Sequence, residues 1–465
     1  MRAVAIRRVV VRVLVLGTVL LGLVPARSAQ AAPPADPPSV VVIYSDDQRF
    51  DTLWAMPTVQ DKLAARGITF SNAFVPNPLC CPSRASLLTG RYSHSNGVWN
   101  NVPPYGGFDA FDDSETLATW LQGAGYTTGL FGKYLNRYWS HADYVPPGWD
   151  RWVAFPLSGY FDYRLSFDGN VVSYRSDPSD YSTDVLASEV VSFIESTNGP
   201  LFAYYAPYAP HAPSTPAPRH EGAFKGVGKW RPESYDEADV LDKPNWVRAL
   251  KPWDHDKSST VDSHRRDQLA TLLALDEAVG HIVDALRRTG RLSNTMVVFM
   301  GDNGYSLGEH RWKGKHAPYE ESIRVPAVVR YDPLIASART DDQLVLNIDV
   351  APTALELAGV DVPDLDGRSL VPLFSDPRES WRSDFLLERL AKPTNRVPSF
   401  CGVRGEELKF VVYETGEQEL YDLVADPGEL RNVVDESAYA DTAAAMQTRT
   451  SELCTSPPPG MTLPF

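Results

Sequence analysis

Four cysteines among 465 residues are too few to staple a disulfide-built scaffold, so the chain relies on an apolar core, for which 43% hydrophobic content is ample. No Asn-x-Ser/Thr acceptor occurs, which leans towards a bacterial exported protein rather than a glycosylated lysosomal one. No internal repeat is present, which sets solenoids and propellers aside. After the first residues no apolar run is long enough to cross a bilayer, so no stable membrane span is expected. Positive charge is also short: 44 Lys and Arg face 59 Asp and Glu, a formal net charge of −15. A chain this acidic is no general polyanion binder, and nucleic acid is excluded as a partner.

At the N-terminus, Arg2, Arg7, Arg8 and Arg12 lead into the apolar run Val13 to Val24, and small residues follow at Ala29 and Ala31. A basic region, a short apolar region and an A-x-A site make residues 1–31 a signal peptide, cleaved after Ala31, and the protein secreted or otherwise exported. Loss of the five arginines in that segment, with no acid lost, takes the formal charge from −15 to −20.

Ser39 to Ser45 is a continuous apolar run of strand length. Tyr126 to Phe131, Leu201 to Ala206, Thr295 to Met300 and Arg324 to Arg330 read as further strands. Between them Met56 to Arg66, Thr116 to Ala124, Asp184 to Glu195, His264 to Arg288 and Ile348 to Leu357 read as helices. This alternation predicts an α/β domain over residues 32–376, with a largely parallel central sheet flanked by helices. Residues 377–465 carry short strands near 385–387, 402–404, 408–413 and 417–423 and a closing helix over 438–453. They predict a smaller antiparallel sheet plus helix. Residues 212–260 are rich in Pro, Trp and charge and read as a long irregular segment of the kind that is functional or mobile.

Residues 79 to 91, Leu-Cys-Cys-Pro-Ser-Arg-Ala-Ser-Leu-Leu-Thr-Gly-Arg, organise the rest. Pro82 suits the first position of a helix, Ala85, Leu87 and Leu88 suit a buried side, and Gly90 suits its stop. Cys80 then lies at or just before a helix N-terminus, where the peptide dipoles favour negative charge, and Arg84 adds a cation one turn in. A structural role for Cys80 and Cys81 as ordinary buried thiols is equally open on spacing alone.

In parallel sheets, sites gather at the carboxyl ends of strands. Four candidates fall there: Asp46-Asp47, Gly132-Lys133, His211 and Asp302-Asn303. Three carboxylates and an amide are oxygen donors, which suit a hard cation such as Ca²⁺ or Mg²⁺ rather than zinc. Taken singly, each pair also fits an ordinary turn or helix cap, and Lys133 a solvated surface charge.

The pattern C-x-P-S-R-x-x-x-L-T-G-R resembles the signature of the type I, formylglycine-dependent sulfatases of the alkaline-phosphatase superfamily. With Gly-Lys-Tyr-Leu-Asn at 132–136 it looks most like the N-acetylglucosamine-6-sulfatases and relatives acting on heparan-type sugars. The resemblance extends to Asp366-Gly367 and to Glu419-Leu420-Tyr421-Asp422-Leu423. It implies an alkaline-phosphatase-like fold and a sulfuric ester hydrolase. A formylglycine-generating enzyme would oxidise Cys80, reading Cys80, Pro82 and Arg84. Asp46, Asp47, Asp302, Asn303 and the modified residue 80 would hold the metal, with calcium preferred over magnesium. Arg84 and Lys133 would serve the reacting sulfate, His211 would protonate the leaving oxygen, and Lys315 would bind sulfate, favoured over Lys313 by its spacing to Tyr319-Glu320. The histidine that many sulfatases place two residues after this lysine is Leu135 here, which leaves one base unassigned, with Lys133 or a histidine from elsewhere such as His94 as candidates; His94, a loop histidine, is also a candidate substrate contact. With Cys80 and Cys81 assigned to the site, Cys401 and Cys454 remain as one disulfide pair. The substrate expected is a sulfated carbohydrate, at best N-acetylglucosamine 6-sulfate, or a small sulfate ester. The alternatives are a broad arylsulfatase, a phosphate or phosphonate ester hydrolase, or a non-catalytic sugar-binding protein.

Overall fold

Ser39–Ser45 is buried along its whole length, because it is the middle of a ten-stranded sheet with apolar layers on both faces. Val40, Val42 and Tyr44 point into one core, and Val41 and Ile43 into the other, the period-2 alternation of a strand covered on two sides. This computed structural model describes residues 37–361 and 364–465; the signal-peptide reading of residues 1–31 lies outside the described residues.

Five neighbouring strands run parallel: Thr295–Gly301, Ser39–Ser45, Leu201–Ala206, Thr127–Gly132 and Arg151–Leu157. The expected strand near 324–330 is present as Ala327–Arg330, but it pairs antiparallel with Thr295–Gly301. Beyond Arg151–Leu157 the sheet continues through two antiparallel strands, Arg164–Phe167 and Asn170–Ser173, which the apolar periodicity did not reveal. Asn170–Ser173 is exposed throughout, so it carries no core signal.

The helix Cys80–Thr89 lies against the first core and Ser182–Ser196 and His255–Arg288 against the second. The long helix starts nine residues earlier than the apolar pattern predicts. Asp254 caps it by accepting from Lys257 N at 2.8 Å, and its first turns bury little, so capping rather than periodicity sets the start. The irregular segment therefore ends sooner than expected. Among the described residues no helix is long and apolar enough to cross a membrane.

The C-terminal strands Asp384–Arg389, Phe400–Gly405, Leu408–Tyr413 and Gln418–Asp422 form an antiparallel sheet in chain order. Cys401, Phe410, Val412 and Leu420 line the face covered by Ala440–Leu453, where Cys401 and Cys454 are joined as a disulfide. Phe385, Leu387, Phe400 and Val411 line the other face and pack with Phe74, Trp246, Tyr319 and Ile323 of the larger body. The small sheet thus contributes to the wall around the helix that carries Cys80: Glu388 N donates to Pro76 O at 3.0 Å.

Candidate active site

Cys80 is the first residue of its helix, Leu79 is the cap, and Gly90 ends it with φ of 65°, a left-handed turn that glycine adopts without strain. Pro82 is the third helical residue rather than the first. All ten residues are buried. The polar ones are matched: Tyr44 Oη and Ser83 Oγ lie 2.7 Å apart, and Asn347 Nδ2 donates to Ser83 O at 2.9 Å. This network was not visible in the sequence, because its three members lie far apart in the chain.

Asp46 and Asp47 leave the end of the central strand, and Asp302 and Asn303 leave its parallel neighbour. Asp302 Oδ1 accepts from Asp47 N at 2.9 Å, and Asn303 Nδ2 donates to Asp47 Oδ1 at 2.7 Å. Arg84 reaches across from the helix. Its Nε donates to Asp302 Oδ2 at 2.9 Å and its Nη1 to Lys133 O at 2.9 Å, while Nη2 lies 3.8 Å from Asp46.

Gly132 has φ of 121°, and a Cβ there would meet Ala206 O at 2.0 Å. Lys133 N then donates to the same carbonyl at 2.7 Å. This close splice of two strand ends delivers the Lys133 ammonium to Asp46 Oδ2. Lys315, just past the hairpin of Ser306–Leu307 with Lys313–Gly314, places Nζ on Asp47 Oδ1 and 2.6 Å from Cys80 Sγ. Cys80 Sγ lies 3.6 Å from Asp46 Oδ1.

His211 is fixed from several sides. Its Nδ1–H donates to Ala212 O at 2.7 Å, its carbonyl accepts from Tyr160 Oη at 2.8 Å, and its ring lies 4.7 Å from that of Tyr208. That leaves Nε2 3.6 Å from Asp47 Oδ2. Potential ligand atoms of Asp46, Asp47, Cys80 and His211 fall within 4.8 Å of one another. Leu135 is buried in the apolar core. His94 pairs through Nδ1 with Glu388 Oε2 at 2.9 Å and stacks on Tyr92. His310 pairs with Glu237 at 2.7 Å, in a separate buried cluster.

Burial raises every carboxylate here, and the cations decide the outcome. Lys133, with His211, Arg84 and Lys315, overcomes burial and holds Asp46 far below the usual range. Lys315 and His211 likewise outweigh burial and lower Asp47. Burial and the Asp46 charge instead push Asp302 up to about 6. Burial also pushes the Cys80 thiol up to about 12 against the pull of Lys133 and Lys315. The anionic character expected of a nucleophile at this helix end is therefore absent from the unmodified thiol. Burial lowers His211 below the ordinary imidazole value despite Asp46 and Asp47.

The oxygens present suit a hard divalent cation. Asn303 Oδ1 is buried and accepts no hydrogen bond among the described residues, and burial with the Asp46 charge outweighs Arg84 and Lys133 at Asp302. Three acids, three cations and one oriented imidazole surround a buried side chain at a helix N-terminus, an arrangement whose chemistry suits an anionic ester.

The chain matches the Sulfatase family over residues 38–360 and the N-sulphoglucosamine sulphohydrolase C-terminal family over 308–456. It belongs to the sulfatase family and is a sulfatase, an enzyme that hydrolyses sulfate esters. It is 35% identical over 386 residues to N-acetylglucosamine-6-sulfatase of Homo sapiens, covering 78% of this chain and 69% of the relative. It is 29% identical over 483 residues to N-acetylglucosamine-6-O-sulfatase of Bacteroides thetaiotaomicron, covering 87% and 84%. The extracellular sulfatase SULF-1 homolog of Drosophila melanogaster is 34% identical over 368 residues, but the chain spans only 33% of its length. Among solved structures, a protein in complex with its substrate D-glucosamine-2-N,6-O-disulfate superposes with a TM-score of 0.80 at 27% identity, covering 90% of this chain and 97% of that one. A phosphonate monoester hydrolase of Agrobacterium radiobacter shares the fold, with a TM-score of 0.72 at 22% identity, over 90% of this chain and 95% of that one.

Proposed function

We propose that this sulfatase removes the 6-O-sulfate of N-acetylglucosamine residues. The observation that carries the site assignment is the convergence on Cys80 Sγ of Lys315 at 2.6 Å and Asp46 at 3.6 Å, with Arg84 one turn along the same helix. The similarity to two N-acetylglucosamine 6-sulfatases supports the sugar.

Asp46, Asp47, Asp302 and Asn303, with the side chain at position 80, would hold calcium, magnesium being the second choice. Bound there, the ion would supply fixed positive charge beside the reacting sulfate. Formylglycine made from Cys80 by a formylglycine-generating enzyme would supply, as its hydrate, one hydroxyl to attack sulfur and a second whose deprotonation expels sulfate. Arg84, Lys133 and Lys315 bind the sulfate oxygens and spread their charge, having been oriented before substrate arrives. His211 Nε2 is the atom placed to hand a proton to the leaving oxygen. An anionic ester beside it raises its basicity, offsetting the lowering by burial. With Leu135 facing the core, His211 is also the imidazole near enough to take the second proton. His94, fixed by Glu388, is proposed as a substrate contact at the rim. Residues 1–31 direct export.

Mass spectrometry of the Cys80 peptide from protein made in its own host should show the aldehyde; a thiol in every copy overturns the mechanism. Cys80→Ala should abolish turnover while leaving the circular dichroism and thermal midpoint in place, and full activity would refute the assignment. A panel of 6-O-, 2-O-, 3-O- and N-sulfated sugars beside aryl sulfate and aryl phosphate tests the substrate. Preference for the phosphate, or for another sulfate position, would sink the sugar reading.

A further inference from the structure

A cleft of about 470 Å³ is lined by Ser259, Thr260, Ser263, His264, Asp267 and Lys313, two residues from the Lys315 that touches Cys80. His264 connects the cleft to the site. Its ring lies 5.6 Å from that of Tyr305, and it feels the charges of Asp47 and His211. Its Nε2 is buried and has no hydrogen-bond partner among the described residues. Burial first, and then Lys313, lower it to about 4, so at neutral pH it offers an uncharged ring nitrogen.

The charges around this cleft differ from those of the protein as a whole. Lys313 is half-buried, and its ammonium has no carboxylate in ion-pair distance among the described residues; burial alone depresses it. Lys257 lies 4.1 Å over the ring of Trp253. Burial lowers it, Asp236 and Asp254 pull it back, and Arg396 and Lys313 add repulsion. The three cations come from three separate segments: the first turn of the long helix, the hairpin before Lys315, and the exposed loop after Asp384–Arg389. The acids facing them are Asp236, Asp254 and Asp267, the last engaged by Arg266 and Ser263. In a chain of net charge −15, a part-buried lysine in this cleft with no ion-pair partner among the described residues, repelled by Lys257, is costly unless an anion completes it.

We propose that Lys257, Lys313, Arg396 and the free Nε2 of His264 form a second anion subsite, which takes a further sulfate or carboxylate of the sugar whose scissile sulfate sits at position 80. The proposal rests on the sulfatase-site reading and adds to it a preference for doubly charged substrates. Lys313 is then a specificity-determining residue rather than a catalytic one.

The matured, calcium-loaded enzyme is assayed on 4-nitrophenyl sulfate, N-acetylglucosamine 6-sulfate, glucosamine N,6-disulfate, and a disaccharide carrying a uronate next to N-acetylglucosamine 6-sulfate. The readout is the ratio of kcat/KM for each doubly charged sugar to that for N-acetylglucosamine 6-sulfate. Wild type should prefer at least one doubly charged sugar, and which one tells sulfate from carboxylate. Lys257→Ala with Lys313→Ala should cut that ratio about five- to tenfold through KM, and Lys313→Arg should restore most of it. The ratio should also fall with added salt. An unchanged ratio in the double variant, or no preference in wild type, overturns the proposal. Failure of wild type to turn over any sulfate ester, aryl sulfate included, overturns the sulfatase-site reading beneath it and this inference too.

Discussion

The molecule buries ionisable side chains in two places, and the two are built differently. Under the C-terminal sheet, every cation is tied to partners from its own chain. Lys409 pairs with Glu429 and Glu320 and donates to Pro318 O at 2.8 Å, and Arg404 pairs with Glu320 at 3.2 Å. Lys243 lies 3.4 Å from Glu237, which also holds His310. At the strand ends around Cys80, by contrast, Lys133 and Lys315 lie on carboxylates that themselves suit a metal, and Asn303 Oδ1 is left open. Both places bring three or more metal-type ligand atoms within 4.8 Å. In both, a chain ammonium is already seated on one of those carboxylates: Lys409 on Glu429 under the C-terminal sheet, and Lys133 on Asp46 and Lys315 on Asp47 around Cys80. What separates the two is what the cations surround: Lys315 reaches Cys80 Sγ as well as a carboxylate, whereas Lys409 reaches only carboxylates and a backbone carbonyl.

Lys409→Met breaks the comparison hardest. It leaves Glu429 and Glu320 buried beside one cation fewer, at a cost of about 3–5 kcal/mol. Urea unfolding should show that loss with the sulfate-ester chemistry at Cys80 unaltered in whatever fraction stays folded. Calcium sharpens it next. If the acids around Cys80 await an ion, calcium at one hundred times its dissociation constant should stabilise wild type by about 2.7 kcal/mol. Thermal melts with calcium and with a chelator should show this shift, and Asp47→Asn should shrink it, while Lys409→Met keeps it.

The smallest effect concerns pH. Burial raises Glu237 from 4.5 to about 7 against the opposing charge of Lys243. An acid whose value is higher in the folded state than in the unfolded one binds protons preferentially in the fold. Its contribution is complete below about 4.5 and fades as pH rises through about 7. Part of the stability should therefore decline over that window, and Glu237→Gln should remove that part of the slope. An identical slope in the variant would assign it elsewhere.

The sequence made these two clusters unequally legible. Asp46-Asp47, Lys133, His211 and Asp302-Asn303 each follow an apolar strand, so period-2 burial and strand-end placement pointed at one pocket before any relative was compared. Cys80 was legible through its motif. The C-terminal cluster was not: Glu320, Arg404, Lys409 and Glu429 meet only because a four-stranded sheet folds back on the larger body, and no local pattern announces that. The same holds for Tyr44, Ser83 and Asn347 behind the Cys80 helix, and for His264, whose helix was legible but whose neighbours Tyr305 and Lys313 come from a distant segment. The strands at 164–173 were missed because the outermost of them buries nothing.

The helix that carries Cys80 has one further consequence. Cys80 is 1% exposed, and Pro82 and Arg84 are enclosed with it at the centre of the protein. The oxidising enzyme proposed above, if it reads those three side chains, would have no path to them once the surrounding strands have assembled. Maturation would therefore have to act on the extended polypeptide, and the timing of collapse relative to that encounter would set what fraction of the molecules ever becomes competent.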